Sequence, residues 1–115
     1  MKIGDDVMSP YGHTENHEIS LPMAADSAFS LIEKAAGSFG KIKDSNRMLG
    51  IITFKSGLNF FKMRNPVNFT ANIAKQDENN TLVRMVVNSG DGTIGFNSAN
   101  RAYQEFIKIL MSMPK

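Results

Sequence analysis

Cysteine is absent from this chain of 115 residues. Its absence excludes disulfide bonds, thiolate nucleophiles, and zinc or iron–sulfur sites that are built on cysteine. No apolar run approaches the roughly 18–20 residues that a membrane-spanning helix needs. Residues 1–6 contain no apolar h-region, so we expect no signal peptide. The content of charged residues (21%) is typical of a globular protein, and the length of 115 residues predicts one domain. Because nothing in the sequence indicates export, we expect a cytoplasmic protein of bacterial type.

The charged residues are distributed unevenly along the chain. Residues 1–33 contain six acidic residues and one basic residue, whereas residues 41–75 contain seven basic residues and one acidic residue. Such an asymmetry is found in proteins that bind an anionic partner. It is also expected when acidic and basic segments of one domain lie side by side, and we favour this second interpretation.

The centre of the sequence has the period-2 alternation that is typical of half-buried β-strands. Residues 67–73 alternate apolar and polar side chains, and residues 81–89 repeat the pattern. An earlier strand is predicted from His13 to Leu21, and Pro22 ends it because proline lacks the N–H that a continuing strand would use. Three further extended segments are predicted at residues 39–44, 48–55 and 60–63.

Two amphipathic helices are predicted, one on each side of the main group of strands. Apolar side chains recur at spacings of three and four from Ala25 to Ala36, and Gly37 is predicted to end this helix. The second helix is predicted from Ala99 to Met113, with a cap at residues 97–98. Its buried stripe is formed by Ala99, Ala102, Tyr103, Phe106, Leu110 and Met113.

The predicted element order is β-α-β(3-4)-α, an α+β fold whose mainly antiparallel sheet carries both helices on one face. Residues 1–12 are predicted to be a flexible N-terminal tail, and residues 13–115 a single domain. The other face of the sheet is expected to carry polar residues and one pair of large apolar residues from the strand at 48–55. This pair is either Leu49 with Ile51 or Ile52 with Phe54. An uncovered face of this kind usually meets a partner.

Residues 18–29 (Glu-Ile-Ser-Leu-Pro-Met-Ala-Ala-Asp-Ser-Ala-Phe) resemble the beginning of helix-grip domains of the Bet v 1 or START-like kind. They are similar to the strand, small-residue turn and aromatic helix start of that family. The long terminal helix with Tyr103 and Phe106 resembles the family's gripping helix. The resemblance covers residues 17–113 and implies a ligand between sheet and helix, although the chain is shorter than a typical helix-grip domain. The element order also resembles the TATA-binding-protein-like fold.

The basic, aromatic segment at residues 55–65 contains the candidate binding residues. Cations interleaved with aromatic rings hold single-stranded nucleic acid, because bases stack on the rings and phosphates meet lysine or arginine. They also suit an anionic membrane or an acidic protein. The alternative is that the phenylalanines belong to the core and the cations to a solvated rim. The candidate residues are Lys55, Phe60, Phe61, Lys62 and Arg64.

Other motifs predict neither a metal site nor an enzyme. His13, Glu15 and His17 share one face of an extended segment and form a potential zinc ligand set. A surface strand with polar side chains is the favoured interpretation, and we predict no metal or other cofactor. No Gly-x-Ser-x-Gly elbow occurs, and residues 89–95 lack the Gly-Lys-Ser/Thr ending of a P-loop.

The sequence therefore predicts a non-enzymatic binding or interaction module. The expected partners are a second copy of the chain in a homodimer, another protein, or an apolar small molecule held by the sheet face or the sheet–helix groove. The alternative function is a nucleic-acid-binding domain that uses residues 55–64. The salt dependence of binding distinguishes these hypotheses, because binding through phosphates weakens steeply as the salt concentration rises.

Overall fold

The computed structural model describes residues 13–56, 66–89 and 97–114. These residues form five strands and two helices in the predicted order, and the predicted α+β class is confirmed. The predicted N-terminal tail and the predicted strand at residues 60–63 lie outside the described residues. The elements are β1 (His13–Leu21), α1 (Ala25–Phe39), β2 (Lys41–Asn46), β3 (Ile51–Ser56), β4 (Val67–Asp77), β5 (Asn80–Ser89) and α2 (Ser98–Ser112).

The strands form one antiparallel sheet in the order β1-β5-β4-β3-β2. Strands that follow one another from β2 to β5 are neighbours, and the predicted hairpin of β4 and β5 is confirmed. β1 pairs with β5 and places His17 opposite Met85. The pairing of β2 with β3 contains a β-bulge between Ile42 and Asp44. β1 and β2 therefore form the two edges of the described sheet.

Side-chain alternation divides the sheet into an inner face, which both helices cover, and an outer face. Ile52, Phe69 and Val83 belong to the inner face and are at most 1% exposed. The helices pack their apolar stripes against this face and complete the core. Neither of the two described helices is long and apolar enough to span a bilayer. The buried hydrophobic helix residues are Ala28, Phe29, Leu31, Ile32, Ala35, Ala36, Ala99, Ala102, Phe106 and Leu110.

Four phenylalanine rings pack together in the centre of the core. The rings of Phe54 and Phe69 are stacked with centroids 4.6 Å apart, and the ring of Phe106 lies 5.0 Å from that of Phe54. Phe39 meets the other three rings edge-on. Phe39 belongs to α1 and Phe106 to α2, whereas Phe54 and Phe69 belong to strands. The aromatic cluster therefore packs both helices against the sheet.

The predicted end of the first helix is wrong. α1 continues through Gly37 to Phe39, and Gly40 occupies the C-cap position. The physical reason is tertiary packing, since the last residue of the helix carries the ring that enters the aromatic cluster. The strand predicted at residues 39–44 accordingly runs from Lys41 to Asn46.

Only one member of the apolar pair predicted for the outer face is found there. Met48 and Leu49 lie in the turn before β3 with exposures of 95% and 67%, so the strand begins only at Ile51. Gly50 closes this turn with a φ of 70°, a conformation that glycine adopts without strain. Ile52 and Phe54 face the helices, whereas Ile51 pairs with Asn72 and lies on the outer face, where it is partly buried. The outer face of the described strands thus carries Ile51 and the 37% exposed Val86 among mainly polar side chains.

Candidate ligand-binding groove

The inner face of β1 changes from apolar to polar along the strand. Ile19 and Leu21, at its C-terminal end, are buried in the core. Glu15 and His17 point to the same side because strand side chains alternate with a period of two, but they are only partly buried. This polar half of β1 lies beside the first turns of α2. The candidate site is formed where these two elements meet.

Four side chains from β1 and α2 meet there, and we call them the polar groove: Glu15, His17, Asn100 and Tyr103. The rings of His17 and Tyr103 are stacked, with centroids 3.6 Å apart and planes 6° from parallel. Nε2 of His17 lies 2.9 Å from Oε1 of Glu15, and Nδ2 of Asn100 donates to the same oxygen at 3.5 Å. Because an ionised carboxylate only accepts hydrogen bonds, Nε2 carries the proton, and Nδ1 of a neutral His17 is the acceptor.

The surroundings of Tyr103 favour the neutral form of its hydroxyl. Burial raises the pKa of the Tyr103 hydroxyl above its ordinary value of 10.0, and the negative charge of Glu15 raises it further. Neither this hydroxyl nor Nδ1 of His17 forms a hydrogen bond with another residue of the described part. The groove therefore combines a hydroxyl donor, a ring nitrogen acceptor and a stacked pair of rings beside an apolar core.

The buried hydroxyl of Ser56 lies at the end of the sheet where β1 begins. The pairings of His13 with Ser89, Ser89 with Val67 and Val67 with Ser56 place the beginning of β1 and the end of β3 in one row. Ser56 is 4% exposed, and its Oγ has no hydrogen-bond partner within the described residues. Ser56 therefore adds a polar hydroxyl to this end of the otherwise apolar inner face.

The structure describes one of the five candidate residues from the basic, aromatic segment. Lys55 lies on the outer face of β3, where it is exposed and pairs across the strands with Lys41 and Asn68. Lys55 is therefore on the opposite side of the sheet from the polar groove. The role predicted for the other four stays a prediction, since these residues lie outside the described part: Phe60, Phe61, Lys62 and Arg64.

The potential zinc ligand set is described only in part, because the side chain of His13 lies outside the described part. Glu15 and His17 bond to each other, and His17 also stacks on Tyr103. In the described ranges, no group of three or more histidine, cysteine, aspartate or glutamate side chains is placed to hold a metal ion. The contacts of His17 thus belong to the polar groove.

A shallow depression of about 450 Å³ also lies on the outer face of the sheet, across β1, β5 and β4. The ion pair of Glu18 with Arg84, at 3.1 Å, crosses it. Asn16 and Asn72 flank this pair, and Val86 supplies its most exposed apolar group. This depression is open to solvent and an ion pair crosses it, so it encloses an apolar ligand less well than a site between sheet and helix would.

The sequence interpretation missed the contact between His17 and Tyr103. It placed Tyr103 in the buried stripe of the second helix and assigned His17 to a polar surface strand. The missing information is tertiary, because β1 must pair with β5 before the two residues can meet. The available signal was that both residues occupy inward positions of amphipathic elements.

Comparison with known proteins gives a fold likeness. Ara h 8.0201, a Bet v 1-family protein, has a crystal structure that matches with a TM-score of 0.56 and 11% sequence identity, over 87% of this chain and 93% of that chain. Norcoclaurine synthase from Thalictrum flavum, in a complex with dopamine and hydroxybenzaldehyde, matches with a TM-score of 0.52 and 7% identity, over 100% of this chain and 98% of that chain. An uncharacterised protein from Bacillus thuringiensis matches with a TM-score of 0.47 and 11% identity, over 85% of this chain and 96% of that chain.

No protein-family model matches the sequence, and no curated protein is similar to it. At 7% and 11% identity, the structural likeness concerns the fold alone. Of the two resemblances that the layout indicates, the helix-grip one is confirmed, and this fold is compatible with a binding module. The chain therefore has a helix-grip-like α+β fold of the Bet v 1 kind.

Proposed function

We propose that this protein is a non-enzymatic binding module that holds an apolar small molecule in the polar groove. The observation that carries the proposal is the stacked pair of His17 and Tyr103, which is oriented by Glu15 at the junction of β1 and α2. The helix-grip-like fold supports it, because the sheet and the terminal helix bound the groove on two sides. The function requires no covalent chemistry from these residues.

The groove favours a mainly apolar ligand that carries one neutral hydrogen-bonding group. The surrounding inner face is apolar, and the two rings offer flat surfaces on which a planar or aliphatic skeleton packs. Nδ1 of His17 accepts a hydrogen bond, while the hydroxyl of Tyr103 donates one. A ligand hydroxyl satisfies both atoms, whereas an anionic group is disfavoured by the charge of Glu15.

Self-association through the outer face of the sheet has weaker support. Of the apolar residues predicted there from β3, Ile51 lies on this face, where it is partly buried, and the ion pair of Glu18 with Arg84 lies near it. A homodimer interface resembles a divided core and is usually more apolar than this face. The groove is therefore the better candidate for the binding function.

Titration with the neutral apolar dye Nile red tests the proposal, because a neutral dye is not attracted by the lysines of the opposite face. We expect saturable binding with increased fluorescence for the unmodified protein. Tyr103→Ala and His17→Ala should each weaken binding by about tenfold, or roughly 1.4 kcal/mol. The matched control is Gln104→Ala, an exposed α2 position next to Tyr103, which should leave the affinity within about twofold.

Circular dichroism of every variant shows whether the fold is retained. Equal binding by the unmodified protein and a folded Tyr103→Ala variant would place the ligand elsewhere. Absence of saturable binding by the unmodified protein would contradict an apolar ligand. A weakened Gln104→Ala variant would indicate that the whole helix, and not the groove, determines affinity.

A further inference from the structure

Three lysines gather on the outer face of the sheet, on the opposite side from the polar groove. Lys41 of β2 and Lys55 of β3 are directly opposite each other in the strand register. Their Cβ atoms are therefore about 5 Å apart, a spacing at which two like charges destabilise a sheet. Lys43 lies on the same face, because its Nζ donates to Oδ1 of Asn68 at 3.4 Å.

Strand alternation accounts for the position of Lys43, because residues two apart in a strand share a face and Lys41 lies on the outer face. The register shifts between Ile42 and Asp44, so a β-bulge lies at Lys43. Bulges are common beside functional sites. This bulge also brings Asp44, opposite Thr53, to the outer face.

None of the three lysines forms an ion pair with a residue in the described ranges. Arg47, from the same basic half of the sequence, behaves differently. Its guanidinium pairs with Asp26, donates to Oγ of Ser30 at 3.0 Å and lies 4.5 Å from the ring centroid of Phe29. Part of the charge asymmetry is thus neutralised within the fold, whereas these three lysines keep their positive charge without an ion-pair partner in the described ranges.

The lysines form one end of a continuous row of exposed polar side chains across all five strands, which we call the polar row. Asn68 pairs with both Lys55 and Asn88, and Asn88 pairs with Thr14 and donates to its hydroxyl at 2.6 Å. Because neighbouring strands lie about 4.8 Å apart, the row is roughly 19 Å long. Its members are Thr14, Asn88, Asn68, Lys55 and Lys41.

We infer that the lysine cluster and the polar row bind single-stranded nucleic acid. The ammonium groups of Lys41, Lys43 and Lys55 contact phosphates, and the side-chain amides of Asn68 and Asn88 hydrogen-bond to sugars and base edges. An open face and a row of this length suit an extended polymer. A single phosphate would gain little from exposed lysines, whereas a polymer engages several at once.

The side chains of this face favour nucleic acid over a lipid bilayer as its partner. Insertion into a bilayer uses apolar side chains beside the cations. The neighbours of the lysines across the strands are instead Asn68 and Asn88, which donate and accept hydrogen bonds. The inference concerns the outer face and is independent of the ligand proposed for the groove.

Fluorescence anisotropy with a fluorescein-labelled oligouridylate, measured over a series of KCl concentrations, tests the inference. Three phosphate contacts on a single strand predict a slope of about −2 for log K against log salt concentration. Replacing all three lysines, as Lys41→Gln, Lys43→Gln and Lys55→Gln together, should reduce affinity more than about tenfold at low salt and bring the slope near zero.

The matched control replaces three exposed lysines elsewhere, as Lys34→Gln, Lys75→Gln and Lys108→Gln together. It changes the net charge equally and should keep the affinity within about twofold and the slope near −2. Equal losses in both triple variants would overturn the inference, because net charge alone would then explain binding. Binding to phosphatidylserine vesicles without binding to the oligonucleotide would overturn it in favour of a membrane.

Lysines and bulges on edge strands also prevent sheets from joining edge to edge. If this is the role of Lys41 and Lys43, the unmodified protein will not bind the oligonucleotide at low salt. The triple variant of the cluster will then form larger assemblies in light scattering. That pair of results would also overturn the inference.

Discussion

The imidazole ring of His17 lies parallel to the phenol ring of Tyr103, with ring centroids 3.6 Å apart. The first residue belongs to an edge strand near the beginning of the described chain, and the second belongs to the terminal helix. Their contact joins β1 to α2 at a position where the core gives way to polar side chains. This contact is therefore a tertiary contact between strand and helix, and it lies at the centre of the proposed binding groove.

The ionisation of Tyr103 provides a test of this environment. Burial and Glu15 raise the pKa of its hydroxyl above 10.0, so the folded state retains a proton that the unfolded state loses. The resulting contribution to stability is complete below pH 10 and is lost as the pH rises through the folded-state pKa. Titration of tyrosinate absorbance in a Tyr11→Phe background, which leaves one tyrosine, should show the raised pKa.

The two causes of this shift are separable by mutation. Glu15→Gln removes the charge but keeps the size of the side chain, so it should lower the Tyr103 pKa only part of the way towards 10.0. Burial is the larger cause and remains. A Tyr103 pKa of 10.0 in the unmodified fold would contradict the burial of this hydroxyl between β1 and α2.

Two glycines near the end of α1 should respond oppositely to the same substitution. At Gly37, which is exposed inside the helix, the nearest contact of an added Cβ is Cδ1 of Ile42 at 3.8 Å. Gly37→Ala should raise the free energy of unfolding by about 0.5–1 kcal/mol, because alanine loses less backbone entropy in a helix. Chemical denaturation of the folded protein measures this change.

At Gly40, an added Cβ would lie 2.2 Å from the carbonyl oxygen of Lys55. That atom belongs to the backbone of β3 and cannot move aside without disturbing the sheet. Gly40→Ala should therefore lower the free energy of unfolding in the same denaturation experiment. If Gly40→Ala were as stable as Gly37→Ala, the close approach of α1's C-terminus to β3 would be wrong.

Truncation of Phe106 should reveal how much the aromatic cluster stabilises the fold. The ring is fully buried and lies 5.0–5.7 Å from the three other rings of the cluster. Phe106→Ala should cost about 3–5 kcal/mol, because it removes a large buried side chain and leaves a cavity. Met111→Ala, at a half-exposed position of the same helix, is the control and should cost under about 0.5 kcal/mol. A small effect at Phe106 would show that α2 is not fastened through this cluster.

Local periodicity was sufficient to predict the elements whose pattern is uninterrupted. β1 has the predicted bounds because Pro22 ends the alternation that begins at His13. The hairpin of β4 and β5 and the apolar stripe of α2 follow from periods of two and of three to four. The likeness to a helix-grip domain could be recognised from this layout, since it depends on element order.

Features that depend on tertiary contacts could not be predicted in the same way. A helix that passes Gly37 requires the site into which Phe39 packs, and that site exists only after the sheet has formed. The two-sided apolar pattern at residues 48–55 concealed a turn, because Met48 and Leu49 are apolar but exposed. The lysine cluster likewise needs the strand register, which brings Lys41 and Lys43 of β2 beside Lys55 of β3.

A two-dimensional NMR titration tests the proposed groove most directly. Cyclohexanol is a suitable probe, because it is neutral and combines an apolar ring with one hydroxyl group. We expect the largest saturable shifts of backbone amide signals at His17 and Tyr103 and at their neighbours on β1 and α2. Saturable shifts centred on Thr70 and Val86 of the outer face, with none at His17 and Tyr103, would contradict it.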